Sequence, residues 1–445
     1  MKLPLESPDL SNLSDSDNKL IDKISAHSSP TDSKGRYLHW DRVRHLKPPE
    51  GLTSKQWWTG IKLSRMDMSK SLPLQSEQEQ PFTFCMIDSI LKDLRWLDRN
   101  AAGQMLTATP VINSDIRSTY LIKSLVEEAI NSSQLEGAST TRNVAKAMIR
   151  EQRTPNDKSE QMILNNYHAM QFIRDYKDEN LTPSIVFELH KIITEKTLND
   201  PDKAGVFREK KDDIRVVDST SAIIYTPPDP SCLKERLDWL CEFANKTFDS
   251  ELIHPVIKAI ILHFMLAYDH PFVDGNGRTS RALFYWSMIK QGYWLTEFIS
   301  ISRIIKLAPI QYGRAFLHTE TDDNDLTYFI IHQLEVIKKA IRDLNAYLEK
   351  KSSNIEYATN LLDNAKNLGR KLNFRQRYLL RHALKHPRFI YTISEYQSFH
   401  GISYETARKD LLHMSDTLKL LSRSKDSRSF VFMSPSDLEN RIKKC

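Results

Sequence analysis

Cysteine is scarce. The four in 445 residues (Cys85, Cys232, Cys241, Cys445) lie far apart with no CxxC pair. That argues against a disulfide framework or a structural zinc site and makes a reducing cytoplasm the simplest setting. No apolar run approaches the ~18 residues needed to span a bilayer, so no membrane partner is expected. An apolar leader is also missing, because the opening Lys2 is followed by stretches rich in Ser, Asp and Asn, and secretion is not indicated. No long internal repeat occurs. Net charge is only +6, yet it is unevenly placed. Residues 370–445 hold sixteen Lys plus Arg against seven Asp plus Glu, a balance of +9 that leaves −3 for everything before them.

What is present, a 40% hydrophobic share over this length, suffices for two or three packed domains. The most informative stretch is HPFVDGNGRTSR, residues 270–281. Pro271 biases His270 away from helical geometry, so the helical pattern through Ala259 to Tyr268 should end near His270 and leave an imidazole at a helix end. Gly275 and Gly277 permit special backbone conformations, and a new helical pattern follows from Arg281. A Gly-rich turn opening a helix presents unpaired amides to an anion. Arg278 and Arg281 add guanidinium forks for phosphate oxygens, and Asp274 suits the hard cation that accompanies a polyphosphate. His263 lies seven residues before His270, but no third metal ligand follows and Pro271 displaces His270 from the face. His263 is therefore read as a packing or hydrogen-bonding neighbour, and His168 and His190 as structural or surface residues.

These residues match every defined position of the Fic signature, HPFxDGNGRxxR, and the chain resembles that family. The resemblance implies a mainly α fold: a helical bundle with a β-hairpin flap, here with an N-terminal helical extension and a C-terminal winged helix. It implies transfer of AMP from ATP, with Mg2+, to a Ser, Thr or Tyr hydroxyl of a target protein. His270 would be the base and Asp274 the metal ligand. Gly275, Asn276, Gly277, Arg278 and Arg281 would hold the phosphates. The string Ser132 to Gly137, SSQLEG, fits the S/T-x-x-x-E-G/N pattern of an inhibitory helix found in many Fic proteins. Glu136, with Ser132 and Gly137, would then pair with Arg281 in space meant for the γ-phosphate. The resemblance leaves open AMP removal by the same site, auto-modification, a homodimer and a donor other than ATP.

Taken in order, residues 1–36 read as a disordered polar tail and 37–115 as the N-terminal extension. Residues 116–348 read as the catalytic domain, with the inhibitory helix at 118–137. Two β-branched runs within 212–228, Ile214 to Val217 and Ala222 to Tyr225, read as a hairpin. It resembles the Fic flap, in which Ile223, Ile224 and Tyr225 would pair with a target's backbone. Residues 370–445 resemble a winged helix-turn-helix. Tyr404, Arg408 and Lys409 lie on its recognition helix and Lys425 and Arg428 on its wing, so a nucleotide-sensing regulator that binds DNA is the alternative function.

Overall fold

The computed structural model describes residues 3–8, 21–102, 114–217, 222–246, 253–364, 368, 371–426 and 429–443. The described residues form two compact units, Met1–Leu344 and Asn345–Cys445, and both are mainly helical.

The first unit opens earlier than the polar composition suggests. A short helix, Ile21–Ala26, buries Ile24 where helix α1 (Ser54–Met66) carries Gly60. A Cβ on Gly60 would lie 3.1 Å from the Ile24 side chain and 2.6 Å from the Ser28 hydroxyl, so the missing side chain makes the seat. The tail expected over residues 1–36 is thus ordered at 21–36, because one isoleucine finds a glycine-sized groove. Thr53 and Gln56 close a capping box at the start of α1.

Between α1 and α2 (Asp88–Leu97) lies a stretch rich in Pro, Gln and Glu. It forms an antiparallel hairpin, β1 (Ser69–Gln75) with β2 (Pro81–Cys85). Leu72, Leu74, Phe82 and Phe84 alternate inward with the strand period of two. The Phe82 ring meets Phe264 at 5.6 Å and Tyr268 at 5.2 Å, so the extension shares the main core.

That core is built by α3 (Ser114–Leu135), α5 (Lys158–Asp175), α6 (Pro183–Thr194), α7 (Leu233–Asn245), α8 (Pro255–Asp269) and α9 (Asn276–Lys290), while α4 (Arg142–Glu151) packs in a smaller cluster with α3 and α5. The helices α10 (Ile301–Leu307) and α11 (Pro309–Glu320) follow, and α12 runs from Thr327 to Asn364. α8 and α9 are buried nearly all round, α8 as its apolar composition requires and α9 with Asn276, Arg278, Thr279, Ser280 and Arg281 buried in its first turns. A two-stranded hairpin, β3 (Val216–Val217) with β4 (Ile223–Tyr225), lies between α6 and α7 in sequence. Its tip, 218–221, is outside the described residues.

The second unit begins before residue 370, since Leu362 and Leu368 join its core. Its order is α13 (Phe374–Lys385), β5 (Ile390–Thr392), α14 (Ile393–His400), α15 (Tyr404–Leu412), β6 (Ser422–Asp426) and β7 (Ser429–Met433). The sheet order is β5-β7-β6. Gly401, at φ +61, ends α14 in the left-handed conformation, and Ser403 caps α15 two residues later. The buried Asp410 gathers Arg375, Asn373 and Tyr396, tying α15 to α13 and α14. Leu420 and Leu421 precede β6 as core anchors.

Candidate active site

Helix α8 starts on Pro255 with a His254 cap and stops at His270, which adopts φ 45, ψ 54. A left-handed conformation costs a residue other than glycine roughly 1–2 kcal/mol, and Pro271 excludes the helical alternative. The turn throws the imidazole out of the helix face. Its Nδ1 lies 3.3 Å from the Ala267 carbonyl. A carbonyl only accepts, so Nδ1 carries the proton and Nε2 keeps its lone pair. Burial holds the His270 pKa below the usual histidine range, with Arg208 adding to the effect. The Ala267 carbonyl, Glu136 and Asp274 oppose it.

The loop is held by Arg208, not anticipated from the sequence, and by His190, expected as a structural or surface residue. Arg208 donates from Nε to the His270 carbonyl (2.8 Å) and from Nη2 to the Pro228 carbonyl (2.5 Å), while its backbone N–H donates to Pro271 (2.9 Å). One guanidinium therefore ties the segment after β4 to the C-terminal carbonyls of α8, where a cation also complements the helix dipole. His190 stacks on Phe272 at 3.7 Å. Its Nδ1 accepts from the Gly205 N–H (2.8 Å), so Nε2 must be the protonated nitrogen that donates to the Asp274 carbonyl (2.8 Å). Burial pushes its pKa down to about 4, which keeps that tautomer neutral. Neither residue sits in a periodic or motif context that one sequence makes visible.

The next helix begins at Asn276, five residues before the expected Arg281, so the signature glycines form its N-terminus. Gly275 has φ +87, and a Cβ there would meet Thr194 Cγ2 at 2.9 Å. The Asn276 side chain brackets Phe272, accepting from its N–H (2.9 Å) and donating to its carbonyl (2.8 Å). It is occupied with shaping the loop. The first α9 backbone bond is Thr279 N–H to Gly275 O (2.9 Å), so the amides of residues 276–278 precede the helical ladder and form the anion-facing end.

The two arginines differ. Arg278 is fully buried, donating from Nη1 to the Ile193 carbonyl (3.0 Å), with Nη2 3.4 Å from Asp274 Oδ1. Its Nε has no partner among the described residues. Arg281 donates from Nε to the Ser132 hydroxyl (2.9 Å), and from Nη2 to the Ser132 carbonyl (3.1 Å) and to Glu136 Oε1 (2.8 Å). Ser132 and Glu136, four residues apart, share one face at the end of α3, beyond which Gly137 turns at φ +94. Gly277 needs no unusual φ; instead a Cβ there would lie 2.1 Å from Glu136 Oε1. The buried Glu128 locks α3 in place, its carboxylate accepting from Tyr285, Ser300 and Ser302. His263 places Nε2 2.8 Å from the Tyr312 hydroxyl.

The flap pairs Val216 with Tyr225 and Val217 with Ile223. Tyr225 rests on Tyr268 at 5.2 Å, whereas Ile223 is exposed and Ile224 half-buried. Beside it, Ile214, Val273, Asp212 and Asp274 help to line a cavity of about 310 Å3. Asp274 remains half-exposed, with Oδ1 accepting the Gly275 N–H (2.5 Å).

A helical bundle thus offers an imidazole lone pair beside a glycine-opened helix N-terminus and a carboxylate-paired arginine, the class of site that takes a phosphorylated ligand. Residues 180–288 form a Fic domain and match the Fic/DOC family model. Over 175 residues the chain is 27% identical to the protein adenylyltransferase Fic of Nematostella vectensis, covering 37% of each. Over 127 residues it is 32% identical to the same-named protein of Drosophila willistoni, covering 28% of this chain and 23% of that one. The chain therefore spans well under half the length of these relatives. A Fic family protein of Desulfovibrio desulfuricans G20 shares the fold, with TM-score 0.53 and 15% identity over 79% of this chain and 98% of the other.

Proposed function

We propose that this chain is a protein adenylyltransferase whose resting state is held off by Glu136. The observation that carries the reading is the imidazole lone pair of His270 beside the α9 N-terminus, with Arg281 engaged by Glu136. A target Ser, Thr or Tyr hydroxyl attacks the α-phosphorus of ATP and passes its proton to His270 Nε2 as the bond to pyrophosphate breaks. The first amides of α9 stabilise the phosphate charge, and Arg281, once released, takes the terminal phosphate. Arg278 buttresses Asp274. The half-exposed carboxylate of Asp274 would hold Mg2+, which would neutralise charge on the phosphates when bound. Exposed Ile223 on the flap edge suits pairing with a target backbone. Three thiols that form no disulfide, Cys85, Cys232 and Cys241, suit a reducing cytoplasm. Among the described residues no helix is long and apolar enough to cross a membrane.

The test is transfer of label from ATP labelled at the α-phosphate, using wild type, His270→Ala and Glu136→Gly. Absence of transfer by both wild type and Glu136→Gly would sink the reading. The same assay checks Gly277→Ala. Its methyl should push the Glu136 carboxylate off Arg281 and raise labelling at saturating ATP, while crowding the phosphates enough to raise the KM for ATP in a Glu136→Gly background. Unchanged labelling and an unchanged KM would show that Gly277 is not the contact surface for Glu136.

A second reading, DNA binding by the second unit, draws on its helix-strand-helix-helix-strand-strand order and its +9 balance. On α15, Tyr404 and Lys409 are exposed and Arg408 is half-exposed beside Glu405; Lys425 is exposed on β6. Arg428 lies outside the described residues. Duplex DNA binding by the full chain should weaken with salt, and Lys409→Ala should flatten the log–log slope by about one. Binding that shows no salt dependence, or none at all, rejects this reading.

A further inference from the structure

The second unit contains a cavity of about 250 Å3 walled by α13, β5 and α14, to which α15 contributes nothing. Aromatic rings dominate it. Tyr378 stacks on Phe399 at 5.1 Å, and Phe389 meets Tyr391 at 5.0 Å. Phe399 is 64% exposed and Tyr378 46%, so rings that would normally be covered stand open at this spot.

The polar groups narrow the ligand. The Tyr391 hydroxyl is taken by His382 Nδ1 (2.7 Å), and the Tyr396 hydroxyl by Asp410 (3.3 Å). Burial pushes His382 and His400 below the usual histidine range, so both are neutral near pH 7. Glu395 uses Oε2 to close a capping box with the Thr392 N–H (3.2 Å) and hydroxyl (2.9 Å). No lysine or arginine lines the cavity, which leaves the Glu395 carboxylate as its formal charge. Lys385 and Arg375 act on His382 and His400 from outside the lining, so an anion inside would find repulsion from Glu395 and no lining cation to contact. A neutral apolar guest would strip water from Glu395 without replacing it. A cation satisfies both the carboxylate and the negative faces of the rings. The volume falls below the roughly 300–1,000 Å3 of sites for drug-sized ligands, which suits a head group with few carbons.

We propose that this cavity binds a small organic cation, an alkylammonium head group held by Tyr378, Phe389, Tyr391, Tyr396 and Phe399 with Glu395 as counter-charge. The site stands apart from the signature loop and does not depend on the transfer reaction. Because the unit as a whole is basic, affinity comes from contact inside the cavity and not from long-range attraction.

The test is calorimetric titration of the full chain with choline and with its neutral isostere 3,3-dimethylbutan-1-ol. Choline should bind saturably and about tenfold more tightly than the alcohol. Phe399→Ala, at an exposed position, and Glu395→Gln, which retains the capping box, should each weaken choline several-fold. Equal binding of the two probes, no saturable choline heat, or choline binding untouched by both substitutions overturns the proposal. So does a change in molar mass by light scattering for Phe399→Ala with choline binding intact, which would make the patch an interface between copies of the chain.

Discussion

His270→Ala should reduce transfer of α-labelled AMP by on the order of 10³-fold, the scale of a lost general base. His270 also supplies a left-handed turn at φ 45, so alanine alone would confuse chemistry with backbone strain. His270→Asn separates them, because asparagine tolerates that conformation but offers no imidazole. Both variants should be inactive, and His270→Asn should keep a near-native melting temperature. Activity retained by His270→Asn would assign the residue to loop shape and remove it as the base. The pH profile is a second readout. With its pKa below the ordinary histidine value of 6.5, His270 is neutral and competent at pH 7, and its activity is lost only as pH falls through the lower value. Glu136 is one of the groups holding that pKa up. In Glu136→Gly the acid limb should therefore move to still lower pH.

Glu136→Gly should raise labelling about 10- to 100-fold over wild type. Arg281 is buried, and its bond to Glu136 Oε1 is charge-assisted at 2.8 Å. Such a bond contributes roughly 1.5–3 kcal/mol, and each 1.4 kcal/mol is about a factor of ten. If the contact must break before the triphosphate seats, its loss appears as gain of activity. Glu136→Gln should lie between, since an amide oxygen still accepts from Arg281 without the charge. The helix should survive either change because Glu128 and its partners anchor α3 elsewhere. Removing the carboxylate leaves a buried guanidinium without its ion-pair partner, so the unliganded variant should melt below wild type. ATP should then raise its melting temperature by more than it raises that of wild type. Labelling equal to wild type, with an equal response to ATP, would show that Glu136 does not restrain the site.

Sequence and structure agree best where the cause is local. The end of α8 follows from Pro271, and the pairing of β3 with β4 from two β-branched runs. The cap at Thr53, the helix over Ile393–His400 and the glycine turn at Gly401 likewise follow from a few adjacent residues. Agreement fails where distant surfaces decide. Residues 1–36 read as a tail from polar composition, and Ile24 is seated only because Gly60 leaves room for it. Between Leu72 and Pro81, Pro73 and Gln75 obscure an alternation that appears only once Phe82 packs on Phe264 and Tyr268.

The candidate site divides along the same line. By itself the sequence determined the chemical inventory of residues 270–281 and the helix end on which it rests, because proline and glycine restrict their own backbone whatever surrounds them. Tertiary structure decided how the inventory is used. It buried Arg278 against Ile193, spent Asn276 on Phe272, and recruited Arg208 and His190 from other segments to hold the loop. It also brought Glu136 within 2.8 Å of Arg281, 145 residues away in the chain. SSQLEG could suggest that pair, but only packing of α3 against α9 and α10 could close it, since an ion pair is a property of distance and burial that no local pattern encodes.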